Sequence, residues 1–304
     1  MPATNEPLDQ PCEQPPEASL GNTIPPGLTL VATPIGNLGD ISARALATLR
    51  GAELVLCEDT RTTARLLRHY GIDARTEALH EHNEDARIPG LLARMAAGAR
   101  VALVSDAGTP VVSDPGFRLV RAAVAAGLHV GGVPGANAAV MALVLSALPP
   151  SPFLFLGFPP PRAAARQAAF AKLRGAERAG LSATLVWHEA PHRLDEMLAD
   201  LRSVFGDRPA AVARELTKRF EEVRRGTLEA LMAAQTADPA RGEITVVVGP
   251  AAEGDDTEDL DGRLLRALAE GSVKDAAAMV ATATGLPRKV VYARALELVR
   301  TTNT

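Results

Sequence analysis

The sequence contains little cysteine and few aromatic residues. Cys12 and Cys57 are the only cysteines among 304 residues, which excludes a disulfide framework and a cysteine-based zinc site and favours a reducing compartment. Long hydrophobic runs are also missing. The longest, Ala138 to Leu148, is interrupted by Ser146 and is far shorter than the roughly 20 residues that a membrane helix needs. We therefore expect a cytoplasmic protein without a membrane segment.

Several familiar site motifs are absent as well. The chain has no Gly-x-x-x-x-Gly-Lys-Ser/Thr loop and no Gly-x-Gly-x-x-Gly turn after a strand, which excludes the standard P-loop and dinucleotide fingerprints. The His-Glu-x-x-His motif of zinc proteases and the Gly-x-Ser-x-Gly motif of serine hydrolases are missing too, which argues against both classes of enzyme. The six histidines include no pair with a carboxylate-rich partner set, so we expect no metal. Asn83, followed by Glu84, is more typical of a helix N-cap.

The net charge of −4 is unevenly distributed. Residues 1–27 hold four carboxylates, no lysine or arginine and seven prolines, which predicts a disordered tail and not a signal peptide. A second run, Glu253 to Asp261, carries six carboxylates and predicts an acidic linker over 251–262. The segment 263–304 has a net charge of +4, and residues 28–250 have +2. The negative total therefore does not exclude an RNA partner.

Short apolar runs alternate with helical spacing through the central region, which predicts an α/β fold with a largely parallel sheet. A break at Pro149-Pro150 indicates two α/β domains, 28–149 and 150–250. The predicted strands are Leu28–Thr33, Leu54–Cys57, Val101–Ser105 and Leu128–Val133, then Phe153–Phe158, Thr184–Trp187, Ala211–Ala213 and Ile244–Val248.

The segment 263–304 has no strand pattern. Val273–Thr284, a Gly285-Leu286-Pro287 turn and Arg288–Val299 predict a helix-turn-helix-like module, with Arg288 and Lys289 opening its second helix. Two interpretations stay open: contact with nucleic acid, or a simple helical hairpin packed on the body.

Polar loops follow the four predicted strands of the first domain, where an α/β sheet binds its ligands. These loops are Thr33–Asn37, Glu58–Arg61, Ser105–Pro110 with Ser113–Gly116, and Pro134–Asn137. In the second domain, Trp187–Arg193 and Arg214–Phe220 bring Glu, His and Arg together at strand ends. Such groups are costly to bury unpaired. They either form a structural ion-pair network or line a substrate cleft.

In this order, the motifs resemble those of the ribosomal RNA small subunit methyltransferase I family, which belongs to the tetrapyrrole-methylase-like (class III) S-adenosylmethionine methyltransferases. The resemblance spans about residues 28–300 and leaves out the acidic tail. The matching motifs are Thr33–Leu38, Glu58–Arg61, His82–Glu84, Ser105–Pro110 with Asp114–Gly116, Glu189–Arg193 and Arg214–Lys218.

The resemblance implies two α/β domains of the tetrapyrrole methylase fold with the cofactor cleft between them, a small C-terminal helical module, and a homodimer. It also implies transfer of a methyl group from S-adenosylmethionine to the 2′-hydroxyl of cytidine 1402 in the 16S ribosomal RNA of the small subunit.

The same resemblance implies the site residues. The expected cofactor-binding residues are Pro34, Asp106, Ala107, Gly108, Thr109, Pro110, Gly135, Ala136, Asn137 and Glu189. A ribose hydroxyl is a weak nucleophile that benefits from a general base or from stabilisation of the developing alkoxide, and the candidates are Glu58, Asp59 and Lys218. The expected substrate-binding residues are Asn37, Arg61, Asp114, His192, Arg193, Arg288 and Lys289, with Arg61 and Arg193 as phosphate clamps.

Two alternative functions stay open at this point. A class III methylase can act on a tetrapyrrole or another small substrate, although such enzymes are not expected to carry the basic helical segment. The chain could instead be a non-catalytic RNA-binding assembly factor, against which the intact Asp106–Pro110 motif argues.

Overall fold

The computed structural model describes residues 24–251, 255–284 and 286–302. They form two compact units. The first contains the described residues up to Pro34 together with Leu38–Ala136, and the second contains Ile35–Asn37 and the described residues from Asn137 onward. Cys12 and most of the predicted acidic tail lie outside the described residues.

The first unit contains a five-stranded sheet in the order β3-β2-β4-β1-β5. All of its strand pairs are parallel, as the strand–helix alternation predicts. The strands are β1 (Gly27–Val31), β2 (Leu54–Cys57), β3 (Thr76–Ala78), β4 (Arg100–Val104) and β5 (Val130–Val133). Residues of β2 are buried throughout, as expected for a sheet that is covered on both faces.

Four helices cover this sheet and divide its core into two clusters. One contains Leu28, Leu54 and Leu103, and the other contains Val31 and Val55, because successive strand residues point to opposite faces. The helices are α1 (Ala43–Gly51), α2 (Thr60–His69), α3 (Glu84–Ala96) and α4 (Phe117–Ala125).

Asn83 occupies the N-cap position of α3, as predicted, but its side chain makes no capping hydrogen bond. Its Oδ1 accepts from the backbone N–H of His80 at 2.9 Å, and its Nδ2 donates to the carbonyl of Ala78 at 3.2 Å. The side chain therefore stabilises the turn before the helix and leaves the first helical N–H groups to other partners.

The second unit contains another five-stranded sheet, in the order β6-β7-β10-β8-β9. Its strands are β6 (Phe153–Phe155), β7 (Thr184–Glu189), β8 (Pro209–Arg214), β9 (Glu222–Thr227) and β10 (Ile244–Val248). Only the β6–β7 pair is parallel, whereas the other three pairs are antiparallel. The prediction of a largely parallel sheet is therefore wrong for this unit, because alternation along the chain does not determine strand direction.

Helix α5 (Ala138–Leu145) belongs to the second unit and packs against β7 and β10. The units therefore divide at Asn137, whereas the sequence indicated a boundary at Pro149-Pro150. The other face of the sheet packs on α6 (Ala163–Arg178), α7 (Leu194–Phe205) and α8 (Leu228–Ala237) through a core that includes Phe170, Trp187 and Phe205.

Two strands were missed and several were misjudged in length. The missed strands β3 and β9 are half-exposed and carry charged residues, so no apolar run marks them. Strand β6 ends at Phe155, whereas the prediction continued it to Phe158. Strands β7 and β8 extend beyond their predicted ends into polar residues.

The C-terminal helices are α9 (Asp255–Glu270), α10 (Val273–Thr284) and α11 (Arg288–Thr302). The predicted pair of helices, one over 273–284 and one beginning at Arg288, is confirmed. The acidic linker predicted for 251–262 is mostly wrong, since α9 already begins at Asp255. Leu264, Ala277 and Val291 contribute one residue from each helix to a shared core.

The described parts of the chain contain no helix with both the length and the hydropathy that crossing a membrane requires. Within the same residues, no group of three His, Cys, Asp or Glu side chains is arranged to hold a metal ion.

Candidate functional site

The four polar loops predicted for the first domain begin at one edge of the first sheet. They follow β1, β2, β4 and β5, which are parallel and lie side by side in the order β2-β4-β1-β5. Because parallel strands end at the same edge, this is the place where open α/β sheets bind their ligands.

Hydrogen bonds join the loops after β1 and β4. Thr33 and Gly108 exchange backbone hydrogen bonds of 2.9 and 3.1 Å. The Thr33 hydroxyl donates to the carbonyl of Ser105 at 3.1 Å, and the Ser105 hydroxyl donates to the carbonyl of Gly108 at 2.9 Å. Gly108 has φ +83°, a conformation that favours glycine. The loop that contains Asp106–Pro110 is therefore fixed in place.

The loops after β2 and β5 are tied to the same segment. The backbone N–H of Asp59 donates to Asp106 Oδ1 at 3.1 Å, and the Thr109 hydroxyl donates to the carbonyl of Ala136 at 3.4 Å. A β-carbon at Gly135 would lie 2.9 Å from that of Ala32, so only glycine permits this approach. Eight of the ten predicted cofactor residues therefore lie at one sheet edge: Pro34, Asp106, Ala107, Gly108, Thr109, Pro110, Gly135 and Ala136.

Asp114 lies among other carboxylates of this unit. Burial raises its pKa to about 6, and the charges of Glu58 and Asp106 act in the same direction, against a hydrogen bond with Ser105. A carboxylate with a pKa near 6 suits general base catalysis at neutral pH. The sequence placed Asp114 among the substrate-binding residues and missed this acid–base property, because it depends on burial and on a charge from a second loop, that of Glu58.

The loop that carries Asp114 is conformationally strained. Val111 and Ser113 have left-handed backbones, with φ +74° and +66°. Such residues cost on the order of 1–3 kcal/mol each and concentrate at functional sites. Gly116 follows with φ +117°, and a β-carbon there would lie 2.5 Å from Leu103 Cδ2. The surrounding structure therefore holds Asp114 in one position.

Asp59 differs from Asp114 in its hydrogen-bond partners and in the direction of its pKa shift. It is the N-cap of α2, accepts from the backbone N–H of Arg61 at 2.8 Å, and forms a 2.7 Å ion pair with the Arg61 guanidinium. The hydrogen bond from Arg61 lowers its pKa to about 2. Asp59 is therefore a weak proton acceptor. Arg61 is exposed and anchored to Asp59, whereas Glu58 is exposed.

In the second unit, Lys218 lies against the Ile35–Asn37 segment. Its ammonium is 2.9 Å from Glu215 and 3.3 Å from Glu243. Burial lowers the pKa of Lys218, but the two carboxylates outweigh burial and hold the pKa above its usual value. Lys218 therefore stays protonated, which excludes it as a general base. It retains the other expected role, stabilisation of a developing negative charge.

The loop around Lys218 is also strained. Glu215 and Thr217 have φ +49° and +67°, and the Thr217 hydroxyl accepts from the backbone N–H of Asn37 at 3.1 Å. A β-carbon at Gly242, where φ is +81°, would lie 2.2 Å from Glu215 Oε1. Glu215, which the site prediction did not include, thus fixes Lys218. No spacing in the sequence connects it with Gly242.

Glu189 and Arg193 form the ion pair that one of the two sequence interpretations anticipated. Glu189 is buried, its Oε1 accepts from the backbone N–H of Ala190 at 2.8 Å, and its Oε2 accepts from Arg193 Nη2 at 3.0 Å. Arg193 Nη2 also donates to the carbonyl of Pro159 at 2.9 Å. Because these groups are already paired, their expected roles as cofactor ligand and phosphate clamp are disfavoured.

The remaining predicted residues have different surroundings. Asn137 is the N-cap of α5 and accepts from the backbone N–H of Val140 at 3.1 Å. His192 is exposed in a 3-10 turn. Arg288 and Lys289 are exposed in the first turn of α11. None of these four lies in the first unit, which contains the sheet edge described above.

Known families match both parts of the chain. The model of the tetrapyrrole (corrin/porphyrin) methylases matches residues 27–232, and that of the RsmI C-terminal HTH domain matches residues 254–299. Diphthine synthase and the methyltransferase CobJ have similar solved structures. Each has a TM-score of 0.56, at 18% and 21% identity, covering 73% and 74% of this chain and 89% and 95% of theirs. At this identity the likeness shows the fold.

Curated relatives are much more similar in sequence. Proteins named ribosomal RNA small subunit methyltransferase I are 48% identical in Mesorhizobium japonicum, 45% in Pseudomonas aeruginosa and 41% in Escherichia coli O157:H7. The alignments cover 89–90% of this chain and 93–96% of the relatives. The chain therefore belongs to the ribosomal RNA small subunit methyltransferase I family, a group of methyltransferases with the tetrapyrrole methylase fold.

Proposed function

We propose that this protein transfers a methyl group from S-adenosylmethionine to the 2′-hydroxyl of cytidine 1402 in 16S ribosomal RNA. One observation carries the proposal: a methylase domain and an HTH module occur in one chain that is 41–48% identical, over 89–90% of its length, to relatives named as methyltransferases of small-subunit ribosomal RNA. A tetrapyrrole substrate would not explain the C-terminal module.

The sheet edge of the first unit fits the cofactor. Ala107 and Gly135 expose backbone without a bulky side chain, which allows close approach by an adenosine. Carbonyl oxygens and the Asp106 carboxylate suit a cationic sulfonium. When bound, S-adenosylmethionine supplies an electrophilic methyl carbon. We assign its binding to Pro34, Asp106–Pro110 and Gly135-Ala136, and leave out Asn137 and Glu189, whose side chains cap α5 and bind Arg193.

Asp114 is our candidate for the proton acceptor. The Asp114 carboxylate would accept the proton that the 2′-hydroxyl loses, and bound S-adenosylmethionine would supply the methyl group and leave as the neutral thioether. Because the displacement is in line, most of the catalysis consists of positioning. The strained, buried setting of Asp114 provides that fixed position in the first unit. Of the predicted bases, Asp59 is too weak, whereas Glu58 stays a candidate.

Lys218 is our candidate for stabilising the developing alkoxide or a neighbouring phosphate. It is held as an ammonium by Glu215 and Glu243, and charge-assisted donors of this kind act strongly on oxyanions. Arg61 retains its expected role as a phosphate contact, because its guanidinium is exposed.

Arg288 and Lys289 are our candidates for docking the RNA. In helix-turn-helix proteins the second helix of the pair contacts nucleic acid with its N-terminal residues, and both side chains lie in the exposed first turn of α11. The target ribose must also be exposed or extruded from folded RNA. This requirement makes an RNA contact outside the catalytic centre useful.

The decisive experiment maps 2′-O-methylation on 16S RNA from a strain that lacks its own enzyme. Complementation with this gene should restore the modification at cytidine 1402 alone. A parallel assay with labelled S-adenosylmethionine compares purified small subunits with uroporphyrinogen. Methylation of uroporphyrinogen alone would refute the proposal in favour of a tetrapyrrole methylase, and no binding of S-adenosylmethionine by calorimetry would favour a non-catalytic assembly factor.

We further propose a cytoplasmic homodimer. Val140, Met141 and Val144 expose apolar surface on α5, and exposed apolar patches commonly mark interaction sites. Sedimentation equilibrium of the full chain should give twice the 31.8 kDa monomer mass. A monomer at micromolar concentration would refute this part.

A further inference from the structure

Phe158 is an exposed aromatic side chain on a loop that is held firmly in place. It lies three residues beyond the end of β6 and is 59% exposed. An exposed phenyl ring offers a flat apolar face that a ligand can cover, and aromatic side chains are enriched at binding surfaces for this reason. Since Phe158 lies outside every motif of the candidate site, the proposed function does not yet explain it.

Two hydrogen-bonded contacts fix the loop on either side of Phe158. The backbone N–H of His188 donates to the carbonyl of Gly157 at 3.0 Å. Arg193 Nη2 donates to the carbonyl of Pro159 at 2.9 Å. Arg193 is itself held by the buried carboxylate of Glu189 at 3.0 Å. The ring is thus held in position before a ligand binds. Binding to it therefore costs little free energy for ordering the loop.

The ring rests against a second aromatic group. The ring centroids of Phe158 and His188 are 5.6 Å apart, and those of Phe155 and His188 are 5.0 Å apart. His188 Nδ1 hydrogen-bonds to the hydroxyl of Thr245 at 3.1 Å, and burial lowers the pKa of His188. His188 is therefore neutral at pH 7 and supports Phe158 as an aromatic partner.

A positively charged side chain, that of Arg162, follows four residues after Phe158 in the sequence. Arg162 is exposed and is the N-cap residue of α6. The first turn of this 16-residue helix contains no acidic side chain, so its N-terminal dipole is not neutralised there. A phenyl ring followed within four residues by a guanidinium and a helix N-terminus combines a stacking surface with a phosphate-attracting one, the two features of single-stranded nucleic acid binding.

We propose that Phe158 is a stacking platform for one base of the RNA substrate, with Arg162 attracting an adjoining phosphate. This inference rests on the proposed function and adds to it a base-binding position in the second unit. Glu189 and Arg193 are positioning residues for this platform. Their ion pair, in which the Glu189 carboxylate is buried, holds the Phe158 loop through the carbonyl of Pro159.

The test replaces Phe158 in the full-length protein by Ala, Leu and Trp. Leu retains apolar surface without an aromatic face, whereas Trp retains the face. Phe117→Ala is the matched control, because Phe117 is 57% exposed and lies on α4 of the first unit. Each variant is measured for the KM of purified small subunits, for the dissociation constant of S-adenosylmethionine by calorimetry, and for its thermal midpoint.

Loss of base stacking costs roughly 1–3 kcal/mol, which corresponds to an increase of about 5- to 150-fold in the KM for small subunits. Phe158→Ala and Phe158→Leu should show this increase, while Phe158→Trp and Phe117→Ala stay within about twofold of wild type. Cofactor affinity and thermal midpoint should not change. Arg162→Ala should also raise KM, and more at low salt than at high salt, because a phosphate contact is screened.

Three results would overturn the inference. The first is an unchanged KM in Phe158→Ala, and the second is a KM in Phe158→Leu equal to that of wild type. The third is weakened binding of S-adenosylmethionine with an unchanged KM for small subunits, which would place adenine on the ring. These outcomes differ from failure of the proposed function, in which the wild-type protein itself would not methylate small subunits.

Discussion

The side chain of Lys218 lies across the α-carbon of Gly36, and its Cγ is 2.3 Å from the point that a β-carbon at residue 36 would occupy. A β-carbon there would also lie 2.9 Å from Lys218 Cε. Real β-carbons do not approach other atoms this closely, so any larger residue at position 36 must move the whole stem of Lys218. Glycine at position 36 is therefore required for the observed position of the Lys218 ammonium.

Gly36→Ala should lower kcat in small-subunit methylation by tenfold or more, because it displaces Lys218 from Glu215 and Glu243. The free energy of unfolding should change by less than about 1 kcal/mol, since partly exposed ion pairs contribute little. A double-mutant cycle with Lys218→Ala provides the check. If Gly36→Ala acts through Lys218, the double variant should be no slower than Lys218→Ala alone. Additive losses would contradict this explanation.

The rate of methylation should depend on pH through Asp114. The carboxylate is the active form of a base, so kcat/KM should rise with pH and level off above about 6, the pKa of this group. Asp114→Asn should lower the plateau by at least a hundredfold, within the usual range for a general base. The corresponding change at the other candidate base, Glu58→Gln, should leave the plateau in place if Asp114 is the base. It should lower the apparent pKa of the profile, because it removes one of the negative charges that raise it.

Stability gives an independent check on the same carboxyl group. Its pKa is higher in the folded protein than in the unfolded chain, so the folded state retains its proton over a range in which the unfolded state has lost it. The contribution of Asp114 to the free energy of unfolding should therefore decrease as pH rises from about 4 to about 6. Asp114→Asn should reduce that decrease, as measured by urea unfolding at several pH values. An identical pH dependence in the variant would show that Asp114 has an ordinary pKa.

The sequence predicted the first sheet well because each of its strands but one is an apolar run followed by a helix. The sequence did not predict the directions and the pairing of the strands in the second sheet. Strands β8 and β9 pair antiparallel, and β9 is a polar segment with no apolar run to mark it. The candidate site was likewise predicted only where it depends on residues that are close together in the sequence. Local motifs located the loops at Asp106 and Lys218, whereas the pKa of Asp114 and the support of Phe158 by His188 depend on residues far apart in the chain.

The basic first turn of α11 should contribute to RNA binding and not to cofactor binding. Replacing Arg288 and Lys289 together by Ala should reduce the salt dependence of small-subunit binding by a slope of about 1.4–1.8, the effect of two lost phosphate contacts. The affinity for S-adenosylmethionine should stay unchanged in calorimetry. Lys172→Ala with Arg202→Ala removes the same charge from the exposed surfaces of α6 and α7. An equal loss in both double variants would mean that only net charge matters.

Arg166 provides a test of how the second unit is stabilised. Its guanidinium is 1% exposed and bonds Asp200 at 2.6 Å and Glu196 at 3.1 Å. Arg166→Met leaves the carboxylate of Asp200 largely buried without its cation and should lower the free energy of unfolding by about 3–5 kcal/mol. Arg202→Met, which breaks an exposed pair with Glu229, should cost less than about 1 kcal/mol. Both values come from urea unfolding.

A second substitution separates a buried unpaired charge from a loss of packing at Arg166. Combining Arg166→Met with Asp200→Leu removes both charges and should recover much of the stability, because a buried ion pair exchanged for apolar residues of similar volume is often nearly neutral. Gln167 donates to Asp200 at 2.6 Å. Because Gln167 is exposed, its side-chain amide can hydrogen-bond to water in that variant. A double variant as unstable as Arg166→Met alone would show that the stem of Arg166 contributes mainly by packing between α6 and α7.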